Sequence, residues 1–247
     1  MKQALTVCGY SVLLRWEENP TAIVYLPGDA ADGETVFSLL AGSSRKTGLP
    51  TPALAVLTGL DWNRELSPWP GQKAFRSGAD FAGGADAFLS RLTGELIPAV
   101  ENALGTALPQ TRVLAGYSMA GLFALYAMYR TDVFQRFASM SGSLWYDGFL
   151  DYMAATPLAR LPERVSLSLG DREAQTKNAR LAKVETCTKA AAALLTQAGV
   201  PVSLTMEPGG HFTDIPRRTA EGILSALRNG PVTKEQKKRK EERKPCT

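Results

Sequence analysis

The sequence predicts a protein of the α/β class, with a mostly parallel central sheet and helices on both faces. Short runs of β-branched and aliphatic residues, such as TAIVYL (21–26) and PALAVL (52–57), alternate with longer segments that have helical apolar spacing. This alternation is typical of parallel sheets covered by helices. In addition, the run TRVLAG continues directly into a helix through GYSMAG (116–121), which predicts a tight strand-to-helix turn.

Length and charge indicate one domain followed by a tail. The chain has 247 residues, and 45% of them are hydrophobic, which is enough for a sizeable core. Residues 231–247 contain seven Lys or Arg and three Glu, whereas the other 230 residues contain 21 charges of each sign. We therefore expect a single domain over residues 1–230 and a basic, disordered tail over residues 231–247. The neutral body argues against nucleic-acid binding and against attachment to a membrane surface.

The first part of the chain predicts strands around one helix. In order, these are a strand or short hairpin over LTVCGYSVLLRW (5–16) that bends near Gly9, a strand over 21–29, a helix over GETVFSLLAG (33–42) and a strand over 52–60. Residues 61–84 are rich in Gly, Pro and Trp and have no clear period. A loop of this length is usually a functional loop or a lid.

Helices and strands alternate through the rest of the chain. In order, we predict a helix over 85–104, a strand over 111–116, a helix over 119–130, a strand over 137–143, a helix over 148–155, a strand over 164–170, a helix over 179–199, a strand over 201–210 and a helix over 217–229. In the first of these helices, the apolar spacing places Phe88, Leu92, Leu96 and Val100 on one face.

Ser118 is the candidate nucleophile. A strand that enters a helix through Gly-x-Ser-x-small forms the nucleophile elbow of the α/β-hydrolase fold. The serine takes a strained backbone conformation, and its neighbours must be small so that strand and helix can approach each other. The backbone N–H of Met119 then points at the reacting atom and forms half of an oxyanion hole. The usual pattern has a glycine two places after the serine, where this chain has Ala120.

His211 is the candidate base, because it is the only histidine in the chain. It follows the last predicted strand, as the chain order Ser, acid, His of α/β-hydrolases requires. The acid should then follow the strand RVSLSLG, where Asp171 and Glu173 are both able to orient the imidazole. The residues alone leave the choice between these two carboxylates open.

These segments resemble the esterase D-like ("putative esterase") group of α/β-hydrolases, and within it the enterochelin-esterase-like branch that hydrolyses siderophore esters. The matching stretches are RELSPW (64–69), residues 81–101, GYSMAGLFALYA (116–127), SMSGSLWY (139–146), GDRE (170–173) with Asn178, and GGHF (209–212). The resemblance implies a serine hydrolase that cleaves siderophore, aromatic or acetyl esters through an acyl-enzyme. It also implies that the acid falls three places after the glycine that ends the strand, which favours Glu173 over Asp171.

This mechanism predicts further site residues. We expect the second oxyanion donor in the turn after YLPG, at Asp29 or Gly28. We expect aromatic and cationic side chains to line the pocket at the carboxyl ends of the strands, namely Trp62, Arg64, Trp69, Trp145 and Tyr146. Such residues suit a flat aromatic ester or an anionic catecholate, although packing in the core is the alternative for each tryptophan. No metal or organic cofactor is required, and a single histidine with scattered cysteines argues against zinc.

Other functions remain open at the level of sequence. The same triad serves acyltransferases and peptidases, and a hydrolase fold can also carry a non-catalytic binding protein. The three cysteines have no disulfide or metal spacing, and neither a signal peptide nor an apolar segment of membrane-spanning length is recognisable. We therefore expect a soluble, cytoplasmic protein that acts on a small-molecule ester. The sequence does not indicate the oligomeric state.

Overall fold

The computed structural model describes residues 1–48, 50–74, 78–105 and 111–229. The strands within these ranges are β1 (Lys2–Val7), β2 (Tyr10–Arg15), β3 (Ala22–Pro27), β4 (Ala53–Thr58), β5 (Pro70–Gly71), β6 (Phe81–Ala82), β7 (Thr111–Tyr117), β8 (Arg136–Met140), β9 (Arg164–Gly170) and β10 (Val202–Glu207). The α-helices are α1 (Ala30–Thr47), α2 (Trp62–Glu65), α3 (Ala85–Arg91), α4 (Ile97–Leu104), α5 (Met119–Ala127), α6 (Phe149–Ala155), α7 (Val184–Gln197) and α8 (Ile215–Leu227). The predicted tail over 231–247 lies outside the described residues, so the domain boundary stays a prediction.

Eight strands form the central sheet, in the order β1-β2-β4-β3-β7-β8-β9-β10. β1 and β2 form an antiparallel hairpin whose two-residue turn, Cys8 and Gly9, has φ values of 52° and 84°, as a tight hairpin turn requires. β2 pairs with β4 in the antiparallel sense, and every pair from β4 across to β10 is parallel. The prediction of a mostly parallel sheet is confirmed, and the carboxyl ends of β7 to β10 therefore meet at one edge.

Helices cover both faces of this sheet, as predicted. Alternate residues of β3 point to opposite sides, so that Tyr25 packs in one apolar cluster and Val24 in the other. The cluster around Val24 includes residues of α1 and α8, and the cluster around Tyr25 includes residues of α3 to α7. None of the helices in the described ranges is both long and apolar enough to cross a membrane.

The predicted helix over 85–104 is present as α3 and α4, which are joined by a π-helical turn at Leu92–Leu96. All four residues expected on its apolar face are buried, namely Phe88, Leu92, Leu96 and Val100. The predicted helix over 179–199 begins later than expected, as a 3₁₀ turn at Leu181–Lys183 followed by α7. The irregular region 61–84 contains only α2 and the two short strands β5 and β6 in its described part.

The turn between β7 and α5 is a nucleophile elbow. Ser118 has φ 57° and ψ −120°, a strained conformation for a residue with a side chain. A Cβ on Gly116 would lie 2.2 Å from the backbone carbonyl of Ala120, and a Cβ on Gly121 would lie 3.0 Å from the Cα of Gly142. The methyl group of Ala120 is accommodated, because the positions that require close backbone approach are 116 and 121.

Gly116→Ala should therefore damage the elbow severely. The added methyl meets backbone atoms that cannot rotate away, so we expect the free energy of unfolding to fall on the order of 3 kcal/mol. Gly94→Ala is the matched control, since its Cβ would meet nothing within 4 Å, and it should leave stability unchanged or slightly higher. Urea denaturation of both variants checks this, and equal stabilities would contradict it.

Candidate active site

Three loops at the carboxyl edge of the sheet bring Ser118, Glu173 and His211 together. Ser118 follows β7, Glu173 follows β9, and His211 follows β10. The Nε2 atom of His211 lies 3.0 Å from Ser118 Oγ, and its Nδ1 atom lies 2.7 Å from Glu173 Oε2. The three side chains thus form a continuous hydrogen-bonded chain from hydroxyl to imidazole to carboxylate.

The carboxylate determines which nitrogen of His211 faces the serine. An ionised carboxylate only accepts hydrogen bonds, so Nδ1 carries a proton and donates a hydrogen bond to Glu173. In the neutral ring, Nε2 is then unprotonated and able to accept the proton of Ser118 Oγ. This is the arrangement that general-base activation of a serine requires.

Glu173 is held as an anion by several donors. Its side chain is only 3% exposed. Oε1 accepts hydrogen bonds from the backbone N–H of Gly170 at 2.7 Å, from Ser141 Oγ at 2.7 Å and from Arg218 Nη2 at 2.9 Å. Burial alone would raise the pKa of Glu173, but the hydrogen bonds from His211, Ser141, Arg218 and Gly170 outweigh it and lower the pKa to about 2.

Asp171, the other candidate acid, has a different partner. Its Oδ1 atom accepts the backbone N–H of Gly209 at 2.9 Å, and its own N–H donates to the carbonyl of Glu207 at 2.8 Å. Gly209 has φ 111°, which favours glycine. Asp171 thus fastens the loop that carries His211 to the loop that carries Glu173, and it does not contact the imidazole ring.

The predicted oxyanion donors have different outcomes. Met119 is the first residue of α5, where backbone N–H groups have no acceptor within the helix, and it lines the cavity described below. The N–H of Gly28 donates to the carbonyl of Leu57 at 3.0 Å. It is therefore occupied within the sheet, which corrects the prediction for Gly28. The carboxylate of Asp29 caps α1 by accepting the N–H of Ala31 at 2.7 Å, and a role for its own N–H stays a prediction.

A cavity of about 410 Å³ opens beside the three residues. Ser118, Glu173 and His211 contribute to its wall. Its other polar side chains in the described ranges are Asn63, Lys73, Ser143 and Thr176, and its larger apolar ones are Phe81, Met119, Trp145, Leu181, Val184 and Phe212. A largely apolar pocket with a few polar groups is typical of sites for small organic molecules.

Of the five predicted pocket residues, Trp145 lines this cavity. Tyr146 is buried beneath it, and its hydroxyl donates to the carbonyl of Trp69 at 2.6 Å. The indole of Trp69 donates to the carbonyl of Asp147 at 3.0 Å. Trp69 packs among other aromatic rings, namely Tyr126, Tyr146, Phe149 and Tyr152. Both side chains thus make packing contacts outside the described cavity wall, and a role for them in substrate binding stays a prediction.

Trp62 and Arg64 lie beside the described cavity wall and not in it, because the segment WNRE is helical, and a role for them in substrate binding stays a prediction. Successive residues of a helix point about 100° apart, and α2 turns Asn63 toward the cavity. Neither Trp62 nor Arg64 is among the described residues of the cavity wall. Trp62 is 38% exposed, and the guanidinium of Arg64 lies 3.7 Å from Asp61.

Arg180 contacts an aromatic ring of the cavity wall. Its guanidinium stacks over the ring of Trp145 at 4.9 Å and lies 2.9 Å from a carboxylate oxygen of Asp147. The combination of cation and tryptophan expected from the sequence is thus present with a different arginine. Arg180 packs against Trp145 and so supports the wall of the cavity. The ion pair with Asp147 neutralises the charge of the guanidinium.

Sequence reasoning missed two residues beside the reacting atoms. Ser143 Oγ lies 3.4 Å from Ser118 Oγ, and the Ser143 N–H donates to the carbonyl of Ser118 at 3.0 Å. Phe212 is 78% exposed at the cavity, with its ring edge-on to that of His211. The sequence contained a signal for each of them. Ser143 lies in the matching stretch SMSGSLWY, and Phe212 lies next to the only histidine.

Comparison with known proteins identifies the family. A family model described as "Putative esterase" matches residues 10–213. The uncharacterized protein YbbA of Bacillus subtilis (strain 168) is 30% identical over 152 residues, which cover 59% of this chain and 61% of YbbA. The aligned part is thus less than two thirds of that relative.

Solved structures share the architecture. An IroE-like serine hydrolase from Shewanella oneidensis superimposes with a TM-score of 0.73 at 18% identity, over 90% of this chain and 79% of that chain. The siderophore hydrolase EstB from Aspergillus nidulans gives a TM-score of 0.69 at 19% identity, over 94% of this chain and 96% of that chain. The likeness confirms the predicted fold.

Proposed function

This chain belongs to the putative esterase family, and we propose that it is a serine hydrolase that cleaves carboxylic esters through an acyl-enzyme. The observation that carries the proposal is the hydrogen-bonded chain from Ser118 Oγ through His211 to Glu173, with contacts of 3.0 and 2.7 Å. Its position beside a small-molecule cavity, at the elbow between β7 and α5, supports the same conclusion.

In the first half of the reaction, Ser118 Oγ attacks the ester carbonyl carbon while its proton passes to His211 Nε2. The carbonyl oxygen becomes an oxyanion, which the N–H of Met119 would stabilise. Glu173 stabilises the imidazolium through its bond to Nδ1. The bond between the carbonyl carbon and the alcohol oxygen then breaks, and the leaving oxygen takes the proton from Nε2.

In the second half, water replaces the alcohol. His211 Nε2 removes a proton from the water as its oxygen attacks the acyl carbon. The bond to Ser118 Oγ breaks, and Oγ recovers its proton from Nε2. The products are a carboxylic acid and an alcohol, and the free enzyme is restored.

The cavity supports an aromatic ester as the substrate. Phe81, Trp145 and Phe212 present aromatic surface, and Lys73 adds a cation at the same wall. A planar acyl group that carries hydroxyl or anionic substituents matches this combination. Because EstB is named a siderophore hydrolase, catecholate siderophore esters belong among the substrates to be tested.

The free thiols of Cys8 and Cys187 favour a reducing compartment, which supports a cytoplasmic location.

A panel of esters and amides tests this function. Purified wild-type protein is assayed with acetyl, feruloyl and catecholate lactone esters and with matched amides, and Ser118→Ala serves as the blank. We expect hydrolysis of the aromatic esters, a weaker rate with acetyl esters and a much weaker rate with amides. Rates equal to the blank with every ester would overturn the proposal. Addition of alcohol acceptors reveals whether transfer to an alcohol competes with transfer to water.

Trp145→Ala should reduce activity on aromatic esters in particular. Loss of the buried indole face removes apolar contact worth about 1.5 kcal/mol, so we expect kcat/KM to fall roughly tenfold for feruloyl esters. Acetyl esters are too small to use that wall and should change less. Trp62→Ala is the control, since Trp62 is an exposed residue of α2. Equal losses on both ester classes would contradict the assignment of Trp145 to the substrate pocket.

A further inference from the structure

Arg218 is an arginine buried in the interior of the protein, directly behind the triad. It lies in α8 and is only 1% exposed. Burial of a guanidinium is unfavourable unless the charge is paired and its N–H groups are hydrogen-bonded. The mechanism above does not use this residue, so its position requires an explanation.

The guanidinium contacts the loops that follow three neighbouring strands. Nη2 donates to Glu173 Oε1 at 2.9 Å and to Ser141 Oγ at 2.6 Å, after β9 and β8 respectively. Nη1 donates to the carbonyl of Gly210 at 3.0 Å, beside His211 and after β10. One planar group therefore holds the acid and the backbone next to the base at the same time.

Tyr117 extends the same network to the nucleophile. The guanidinium lies 5.6 Å from the centre of the Tyr117 ring. The Tyr117 hydroxyl donates to the carbonyl of His211 at 2.7 Å and lies 2.9 Å from Ser141 Oγ. Tyr117 is also the residue before Ser118, at the end of β7. Arg218 is thus linked to all four strand ends around the reacting atoms.

We propose that Arg218 is a positioning residue that fixes the geometry of Glu173 and His211 and balances the charge of Glu173. This inference rests on the proposed function. A buried carboxylate alone would favour a protonated, positively charged imidazole as its partner, and such a ring cannot accept a proton from Ser118. The guanidinium supplies a compensating positive charge 2.9 Å from Oε1, and it holds the carboxylate where Oε2 meets Nδ1 of the ring.

Other charged and titratable groups of the described ranges surround Arg218 and Glu173. The pKa of Tyr117 is raised, chiefly by burial of its hydroxyl. The charges of Arg218, Glu173 and Glu207 also act on this pKa. Glu207 is in turn 3.4 Å from the half-buried Arg217, and Lys73 lies at the wall of the cavity beside Ser118. Among the arginines and lysines of the described ranges, Arg218 is the one that donates directly to Glu173, at 2.9 Å, and it acts together with His211 and Ser141 to lower the pKa of that carboxyl.

The lone histidine allows a direct test by NMR. Because the chain has one histidine, its ring signals are unambiguous and report the pH at which the ring takes up a proton, whether or not any ester is hydrolysed. In Arg218→Met, loss of the cation should move that pH upward, because the carboxylate that remains favours the protonated ring. Arg217→Met is the matched control, an adjacent arginine of α8 that pairs with Asp214 and Glu221, and it should leave the titration unchanged. Equal titrations for the two variants would overturn the proposal.

Arg218→Lys tests the charge and the geometry of Arg218 separately. It also tests the proposed positioning role if Arg218→Met does not fold. Lysine retains the cation but cannot reach Gly210, Ser141 and Glu173 together. We expect the ring titration to stay close to that of wild type, while kcat falls about tenfold with little change in KM. A wild-type kcat would overturn the positioning role. Failure of the proposed function is distinguishable, because wild type would then hydrolyse no ester while the NMR titration still reports on Arg218.

Discussion

Ser118→Ala should abolish ester hydrolysis and labelling by a fluorophosphonate probe. The probe transfers its phosphonyl group to an activated serine and releases fluoride, so it reports on the nucleophile independently of the substrate. Removal of a triad serine lowers kcat on the order of 10⁶-fold in well-studied hydrolases. We expect a similar loss here, because Ser118 Oγ is the hydroxyl that bonds to the imidazole.

Ser143→Ala is the matched control for this experiment. Ser143 Oγ lies 3.4 Å from Ser118 Oγ in the same cavity, but its hydroxyl is not the one that bonds to His211. Labelling should therefore persist in Ser143→Ala and be greatly weakened in His211→Ala, where the base is missing. Mass spectrometry of the labelled peptide identifies the modified residue. A probe adduct on Ser143, or labelling that survives in Ser118→Ala, would contradict the assignment.

Glu173→Gln should lower kcat by about 10³- to 10⁴-fold while the protein stays folded. An amide in place of the carboxylate can donate to Nδ1 and so stabilise the wrong tautomer of His211, and it cannot stabilise the imidazolium. Asp171→Asn is the control two residues away. Its oxygen still accepts the N–H of Gly209, so we expect a loss of no more than about tenfold. The reverse ranking of the two variants would show that Asp171 is the acid.

Glu173→Gln should also change how the free energy of unfolding depends on pH in acid. The pKa of Glu173 is lowered from 4.5 to about 2 in the folded protein, with burial opposed by the hydrogen bonds that it accepts. As pH falls below about 4.5, the unfolded chain takes up this proton first, so the stabilisation present above that pH is lost progressively down to pH 2. In Glu173→Gln, the free energy of unfolding should therefore fall less steeply across this window. Denaturant titrations at a series of pH values check this, and parallel curves would contradict it.

Local physical requirements made some features predictable from sequence. The elbow requires small residues around a strained serine, so Gly116 and Gly121 identify Ser118 without knowledge of the rest of the fold. His211 needed only a count, because the chain has one histidine. The alternation of strands and helices follows from periodic burial, which is also local.

Orientation within a loop or helix required the tertiary structure. Asp171 and Glu173 are separated by one residue, yet one bonds to a backbone N–H and the other to the imidazole. Trp69 and Tyr146 were expected in the pocket but pack against each other. Sequence could not predict this, because the contact forms only when loops that follow different strands are assembled.

The sequence by itself predicted the class of fold, the candidate nucleophile and the candidate base, because each depends on a pattern that is short along the chain. Only the tertiary structure placed Glu173 rather than Asp171 at the imidazole, assembled the cavity wall and brought Arg218 to Glu173. Arg217 and Arg218 are adjacent and chemically identical, but the helical rotation between them leaves the first at the surface and buries the second against Glu173. Which face of α8 meets the triad depends on contacts with strands that are distant in sequence, and no local pattern contains that information.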